Sequence, residues 1–134
     1  ANAKAIRTIE IEDFVKLDEV DVLFFDKPYY VVAQKGGEKG YALLHQVLEE
    51  TQKAAIAKVV LHKKQHLAAL IIRGDYIILE ILRFADEVLE ADEVEPVNER
   101  VKAAKISPRE IDIAKQLVDG MTTEWDPDKY TDTY

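Results

Sequence analysis

His62 and His66 stand four residues apart, a spacing that on a helix would bring two imidazoles to one metal ion. On a continuous strand the same pair is about 13 Å apart, too far to share an ion. A turn between them could bring them face to face, yet no third ligand is evident nearby, so two partly exposed hairpin histidines are the better account. The chain has no cysteine, which removes thiolate metal sites, disulfides and any thiol nucleophile. No serine is placed with a histidine and an acid in a recognisable arrangement, and carboxylates are too plentiful to single out a pair.

Three other stretches imitate binding motifs. "GGEKG" at 36–40 lacks the lysine-serine or lysine-threonine ending of a phosphate-binding loop and reads as a flexible turn before a helix. "RGD" at 73–75 looks like an adhesion tripeptide, but glycine and aspartate between two apolar runs is ordinary hairpin chemistry. Asp126, Asp128 and Asp132 offer carboxylates for calcium without the glycine and closing glutamate of an EF-hand loop. No cofactor and no catalytic centre are implied.

Charge distribution says more. The chain carries a formal net charge of −8 over 134 residues. Residues 53–83 nevertheless hold six bases (Lys53, Lys58, Lys63, Lys64, Arg73, Arg83) against two acids (Asp75, Glu80), a local +4 that leaves −12 elsewhere. Asp86 to Glu99 then forms an acidic stretch with no base before Arg100. The net charge argues against indiscriminate nucleic-acid binding by the whole surface, while the basic island allows it locally. Lysines on strand edges also serve simply to discourage aggregation.

The elements that would position these charges follow from periodicity. "IRTIEIEDFV" alternates apolar and polar residues, which predicts a first strand over about 6–14. "VLFF" and, after an Asp-Lys-Pro turn, "YYVVAQ" read as two further strands, with Pro28 at a strand start or edge. Tyr41, Leu44, Val47, Leu48 and Thr51 fall at helical spacings, widened by Leu43, and predict about three turns of helix. "AAIAKVVLH", "HLAALII" and "YIILEILRF", separated by "KKQ" and "RGD", read as a three-strand meander with Lys63 and Lys64 at a hairpin tip.

From Asp86 to about Ile106, acidity, Pro96 and Asn98 suggest a linker or loose arm. Ser107, Pro108 and Glu110 form a capping box that opens a final helix striped by Ile111, Ala114, Leu117, Val118 and Met121. The expected layout is residues 1–90 as an α+β domain, 91–106 as an acidic linker, and 107–134 as a C-terminal helix and tail. No apolar run is long enough to span a bilayer.

"IEDFVKLDEVD", "FDKPYYVV", "EKGYALL", "KQHLAAL", "LRFADEV" and "WDPDKYTDTY", in this order, resemble the later part of the prokaryotic Ku core domain. The resemblance implies a partial β-barrel of mixed strands, similar also to SPOC-type domains, with a packed helix and a C-terminal helical arm. It implies sequence-independent binding of broken double-stranded DNA ends in non-homologous end joining. A homodimer, an ATP-dependent DNA ligase as partner, no enzymatic activity of its own, no membrane association and a place at the nucleoid of a bacterial cytoplasm belong to the same picture.

Carried onto this chain, the family's DNA-facing basic hairpin falls on "LHKKQHLAAL". Lys63 and Lys64 are the leading phosphate contacts, followed by Lys58, His62, His66 and Arg73. Ile71 and Ile72 stand where the family commonly has arginine and proline. The family's earlier strands and DNA-bridging insertion have no counterpart, so the chain is expected to be a piece of a longer protein. The alternative reading is a SPOC-like module whose basic strand face holds an acidic or phosphorylated peptide.

Overall fold

The computed structural model describes residues 9–89 and 91–132; at positions 91, 92 and 94–97 it describes the backbone alone. Two compact units divide after Leu89.

The first unit is built on one five-stranded sheet. Its strands are β1 (Ile9–Lys16), β2 (Phe25–Val31), β3 (Lys53–Leu61), β4 (Lys64–Arg73) and β5 (Tyr76–Leu82), in the order β1-β3-β4-β5-β2. Every ladder is antiparallel. Among the described residues the sheet is open, with β1 and β2 at its two edges. The helix α1 (Glu38–Thr51) lies against one face.

The meander β3–β4–β5 forms as its sequence predicts, because three aliphatic runs are separated by short polar turns. Gly74 and Asp75 join β4 to β5, and Gly74 takes φ +57°, a conformation that costs glycine nothing. The β3–β4 turn is one residue earlier than "KKQ" suggested. His62 (φ +51°) and Lys63 (φ +64°) are its two central residues, while Lys64 already pairs with Leu61 in the ladder. Two successive left-handed residues in a two-residue hairpin give the primed turn whose twist suits antiparallel strands.

"VLFF" and "YYVVAQ" do not make two strands. Val22–Phe24 is a single 3-10 turn, capped by the Asp21 carboxylate accepting from the Leu23 amide at 2.9 Å, and one strand runs from Phe25 through Pro28 to Val31. The supposed Asp-Lys-Pro turn is strand because β2 is an edge strand, where a residue without an N–H is tolerated.

Alternation along the strands sorts side chains onto two faces. On the α1 side, Ala55, Val59, Leu61, Ala68, Leu70, Ile77, Leu79 and Ile81 surround Leu48, which is wholly buried. Tyr41 and Leu44 complete the helix stripe, whereas Leu43, Val47 and Thr51 are exposed, so the buried stripe is narrower than the periodicity predicted. On the opposite side, Ala54, Ala69, Ile71 and Leu82 form a second cluster with Val15, Phe24 and Phe25.

The Tyr41 hydroxyl fixes α1 to the sheet. It donates to the Val31 carbonyl at 2.7 Å and accepts from the Ile77 amide at 2.8 Å. A ring nitrogen of His45 lies 2.7 Å from the Gly74 carbonyl, which anchors the β4–β5 turn.

In the second unit, Ala91–Ala103 is a helix, α2, where acidity, Pro96 and Asn98 suggested a linker. Glutamate, alanine, arginine and lysine are good helix formers, and Arg100 and Lys102 in the last turn complement the helix dipole. Pro108–Met121 forms α3, with the capping box closed on both sides: the Ser107 hydroxyl accepts from the Glu110 amide at 3.1 Å and the Glu110 carboxylate accepts from the Ser107 amide at 3.0 Å. Beyond it, the rings of Trp125 and Tyr130 stack at 5.8 Å.

Candidate nucleic-acid interface

The basic island is divided by the sheet. Val59 and Leu61 face α1, so their ladder partners His66 and Lys64 lie on that same side. Lys58 pairs with Leu67, which packs on the opposite cluster, and Arg73 shares that opposite face with Ile71. His62 and Lys63 occupy the turn itself.

The strands also spread the charges lengthwise. The β4–β5 ladder begins at Ala68 and Ile81, so Lys64 to Leu67 run on past that pairing for roughly 13 Å at strand rise. Arg73 lies nine residues from Lys64 at the other end of β4, roughly 30 Å away. His62, Lys63 and Lys64 thus form one exposed tip with the half-buried His66 beside them, and Lys58 and Arg73 are separate from it.

Local acids sharpen the division. No Asp or Glu occurs between Glu50 and Asp75, so the hairpin brings no negative charge of its own. Lys58 is compensated from a neighbouring strand: a β-bulge between Ile11 and Asp13 presents Glu12, whose carboxylate lies 3.0 Å from the Lys58 ammonium. That hydrogen bond, reinforced by the charges of Glu12 and Glu10, raises the Lys58 pKa from its ordinary 10.5. Lys58 is therefore already paired with a carboxylate of β1.

Arg83 was counted in the basic island without being assigned a role, and the structure gives it one. Its guanidinium donates to the carbonyls of Leu23 (3.2 Å) and Phe25 and lies 3.4 Å from Asp26, while its amide donates to the Phe24 carbonyl at 2.7 Å. It clamps the crossover that carries the chain from β1 to the far edge of the sheet. The signal in the sequence was an arginine ending an apolar strand, beside the invariable need of that crossover for donors to its carbonyls.

Glu80 is the other residue that the charge pattern did not mark. It lies in the middle of β5, opposite Pro28 and Ala69, and is 8% exposed. Burial and then the charge of Asp26 push its pKa up from 4.5, against the opposing pull of Arg73 and Arg83. Among the described residues, no group of three or more histidine, aspartate or glutamate side chains is arranged to hold a metal ion.

The family model for the Ku70/Ku80 beta-barrel domain matches residues 1–113. The chain belongs to the Ku family. It is 47% identical to a non-homologous end joining protein Ku of Opitutus terrae, over 99% of this chain and 47% of that protein. A protein of the same name from Coxiella burnetii is 43% identical, over all of this chain and 49% of its own length. The Bacillus subtilis protein of that name is 35% identical over 96% of this chain and 40% of its own. The chain spans about half the length of the curated relatives that it matches. Within the Ku family's barrel domain, the stretch described here is an open antiparallel sheet with a helix on one face.

Proposed function

We propose that this chain is part of a Ku protein that binds the ends of broken double-stranded DNA in non-homologous end joining, and that the β3–β4 hairpin tip is a phosphate contact. The observation that carries the reading is the tip itself: His62 and Lys63 in the turn, with Lys64 and His66 on the part of β4 that runs past its ladder with β5, within a segment of 24 residues free of acids. Such a projection meets a sugar-phosphate backbone without reading bases, which suits a protein that must accept any broken end. Family membership supports the reading, since relatives bear the name non-homologous end joining protein Ku.

The role is binding and holding, not catalysis. The same reading carries a homodimer, an ATP-dependent DNA ligase as the enzyme that seals the ends, and a place at the bacterial nucleoid. Among the described residues, no helix is long and apolar enough to cross a membrane. The six candidate contacts carry unequal weight: Lys63 and Lys64 first, His62 and His66 with them at the tip, Lys58 and Arg73 behind.

The test is a mobility-shift titration of the longer gene product containing this chain, on linear duplex and on a covalently closed circle. Preference for linear DNA of any sequence, weakened by K63E/K64E on all sequences alike, is the expected result. Equal affinity of that variant and the parent protein at low and moderate salt sinks the assignment of the tip. A phosphopeptide that binds tightly while linear duplex does not would replace it with the peptide-binding reading.

A further inference from the structure

We propose that His66 works beside Lys64 as a phosphate contact and takes up a proton as DNA binds, so that end binding tightens as pH falls from 8 to 6. The coupling presupposes the phosphate contact proposed above for the β3–β4 tip and adds to it a dependence on pH.

Strand β4 sets the two side chains as a pair. Lys64 and His66 alternate onto the same face, two residues and roughly 7 Å apart at strand rise, on the stretch of β4 that has left its ladder with β5. Pairing with Leu61 and Val59 of β3 fixes their register, so both are held on a strand rather than carried by a loop. Gln65, between them, pairs with Val60 and belongs to the other side. Lys64 is exposed and His66 half-buried, which leaves the imidazole reachable from the side on which Lys64 stands.

The charges nearest His66 on its own face are positive. Lys64 stands beside it and Lys63 precedes it in the turn. From β1, Glu10 and Glu12 stand with Lys58 on the opposite face: Glu10 is its ladder partner, and Glu12 lies 3.0 Å from its ammonium. Beyond β5, the Arg83 guanidinium is committed to the carbonyls of Leu23 and Phe25 and to Asp26. From α1, Glu49 and Glu50 border one cavity with Asp75, at the other end of β4. Among the described residues of the first unit, neither Lys64 nor His66 is ion-paired with an acid.

Imidazole is the side chain that changes charge between pH 5 and 8. A neutral ring gives a phosphate one hydrogen bond, whereas a protonated ring adds a charge and makes that bond roughly twice as strong. A phosphate close by favours the charged ring, and by reciprocity the proton favours the bound DNA.

The experiment measures the affinity of the longer gene product containing this chain for a linear duplex, by fluorescence anisotropy, at pH 6, 7 and 8 and at several salt concentrations. The parent protein is expected to bind about five- to tenfold more tightly at pH 6 than at pH 8, the gain of one charge-assisted bond. Its slope of log K against log salt is expected to be steeper by about 0.9 at the lower pH, for one further phosphate neutralised. H66Q is expected to lose most of both changes, and H62Q to keep them. H66K, charged throughout, is expected to show the steeper slope at every pH, a rescue that a merely structural role for His66 does not predict. A pH dependence that H66Q leaves intact, or equal salt slopes at pH 6 and pH 8, overturns the proposal while K63E/K64E still weakens binding. If K63E/K64E binds as the parent protein does, the tip is no contact and both proposals fall.

Discussion

The ammonium of Lys58 lies 3.0 Å from the carboxylate of Glu12, across the bulged ladder between β3 and β1. Both side chains remain partly exposed, at 45% and 41%, so the pair adds little to stability in water. Its consequence is for binding. A lysine already matched to a carboxylate must give up that partner before it can neutralise a phosphate.

Lys58 and the tip lysines should therefore separate in a salt titration of DNA affinity. K63A/K64A is expected to reduce the slope of log K against log salt by about 1.8, about 0.9 for each lost phosphate contact. K58A is expected to leave the slope unchanged. A K58A slope reduced as much as that of either tip lysine would mean that Glu12 releases its partner to the DNA.

Lys63 also sits in a left-handed conformation at φ +64°, which disfavours every side chain with a Cβ. K63G relieves that strain at the cost of a more flexible unfolded chain, for a net gain of about 0.5–1 kcal/mol. The same change removes a tip charge. Chemical denaturation should thus show a more stable protein, while mobility shifts show weaker end binding. A destabilised K63G would show that the Lys63 side chain stabilises the turn.

The Tyr41 hydroxyl closes two backbone groups at once, the Val31 carbonyl at 2.7 Å and the Ile77 amide at 2.8 Å. Y41F keeps the ring against the core and strands both groups. The expected loss is about 1–3 kcal/mol, read as a lower urea midpoint with an unchanged slope. L48A at the centre of the same helix stripe should cost about 2–5 kcal/mol.

Much of this architecture is legible in the sequence where one local signal dominates. The meander is such a case, since aliphatic runs bounded by polar pairs have few other solutions, and so is the capping box of Ser107 and Glu110. The errors fall where a tertiary condition overrides the local one. Pro28 reads as a turn until β2 is known to be an edge, and α2 reads as a linker because acidity and Pro96 mask good helix formers. The hairpin turn is displaced by one residue because His62 and Lys63 fill positions usually taken by asparagine and glycine. That one residue also decides which face Lys64 and His66 occupy, so the composition of the tip was readable and its orientation was not. Glu12 acts through Lys58 and Glu80 is buried by strands β2 and β4, all distant in sequence, which no local pattern contains.

Ser107 gives α3 its start, and S107A is expected to weaken that helix by about 1 kcal/mol. Glu110 returns the bond, and its acceptance from the Ser107 amide and hydroxyl lowers its pKa below 4.5. A carboxylate with a depressed folded value supports the helix above its ordinary value and ceases to do so as pH falls through the depressed one. Far-UV circular dichroism on acidification should show a loss of helicity below about pH 4.5 that E110Q blunts.

Glu80 has the opposite sign. Burial first, and Asp26 of β2 second, raise its folded pKa above 4.5, while Arg73 of β4 and Arg83 after β5 pull it down. The folded protein therefore holds this proton more tightly than the unfolded chain, so the contribution of Glu80 to stability is full below about pH 4.5 and is lost as pH rises through the raised value. E80Q removes the titration and keeps the shape of the side chain. The difference in unfolding free energy between the parent protein and E80Q, measured by urea at several pH values, should move toward the parent protein as pH falls from 7 to 4.5. A difference that is flat across this range, or that moves toward E80Q, would mean that the carboxylate is already compensated within the fold.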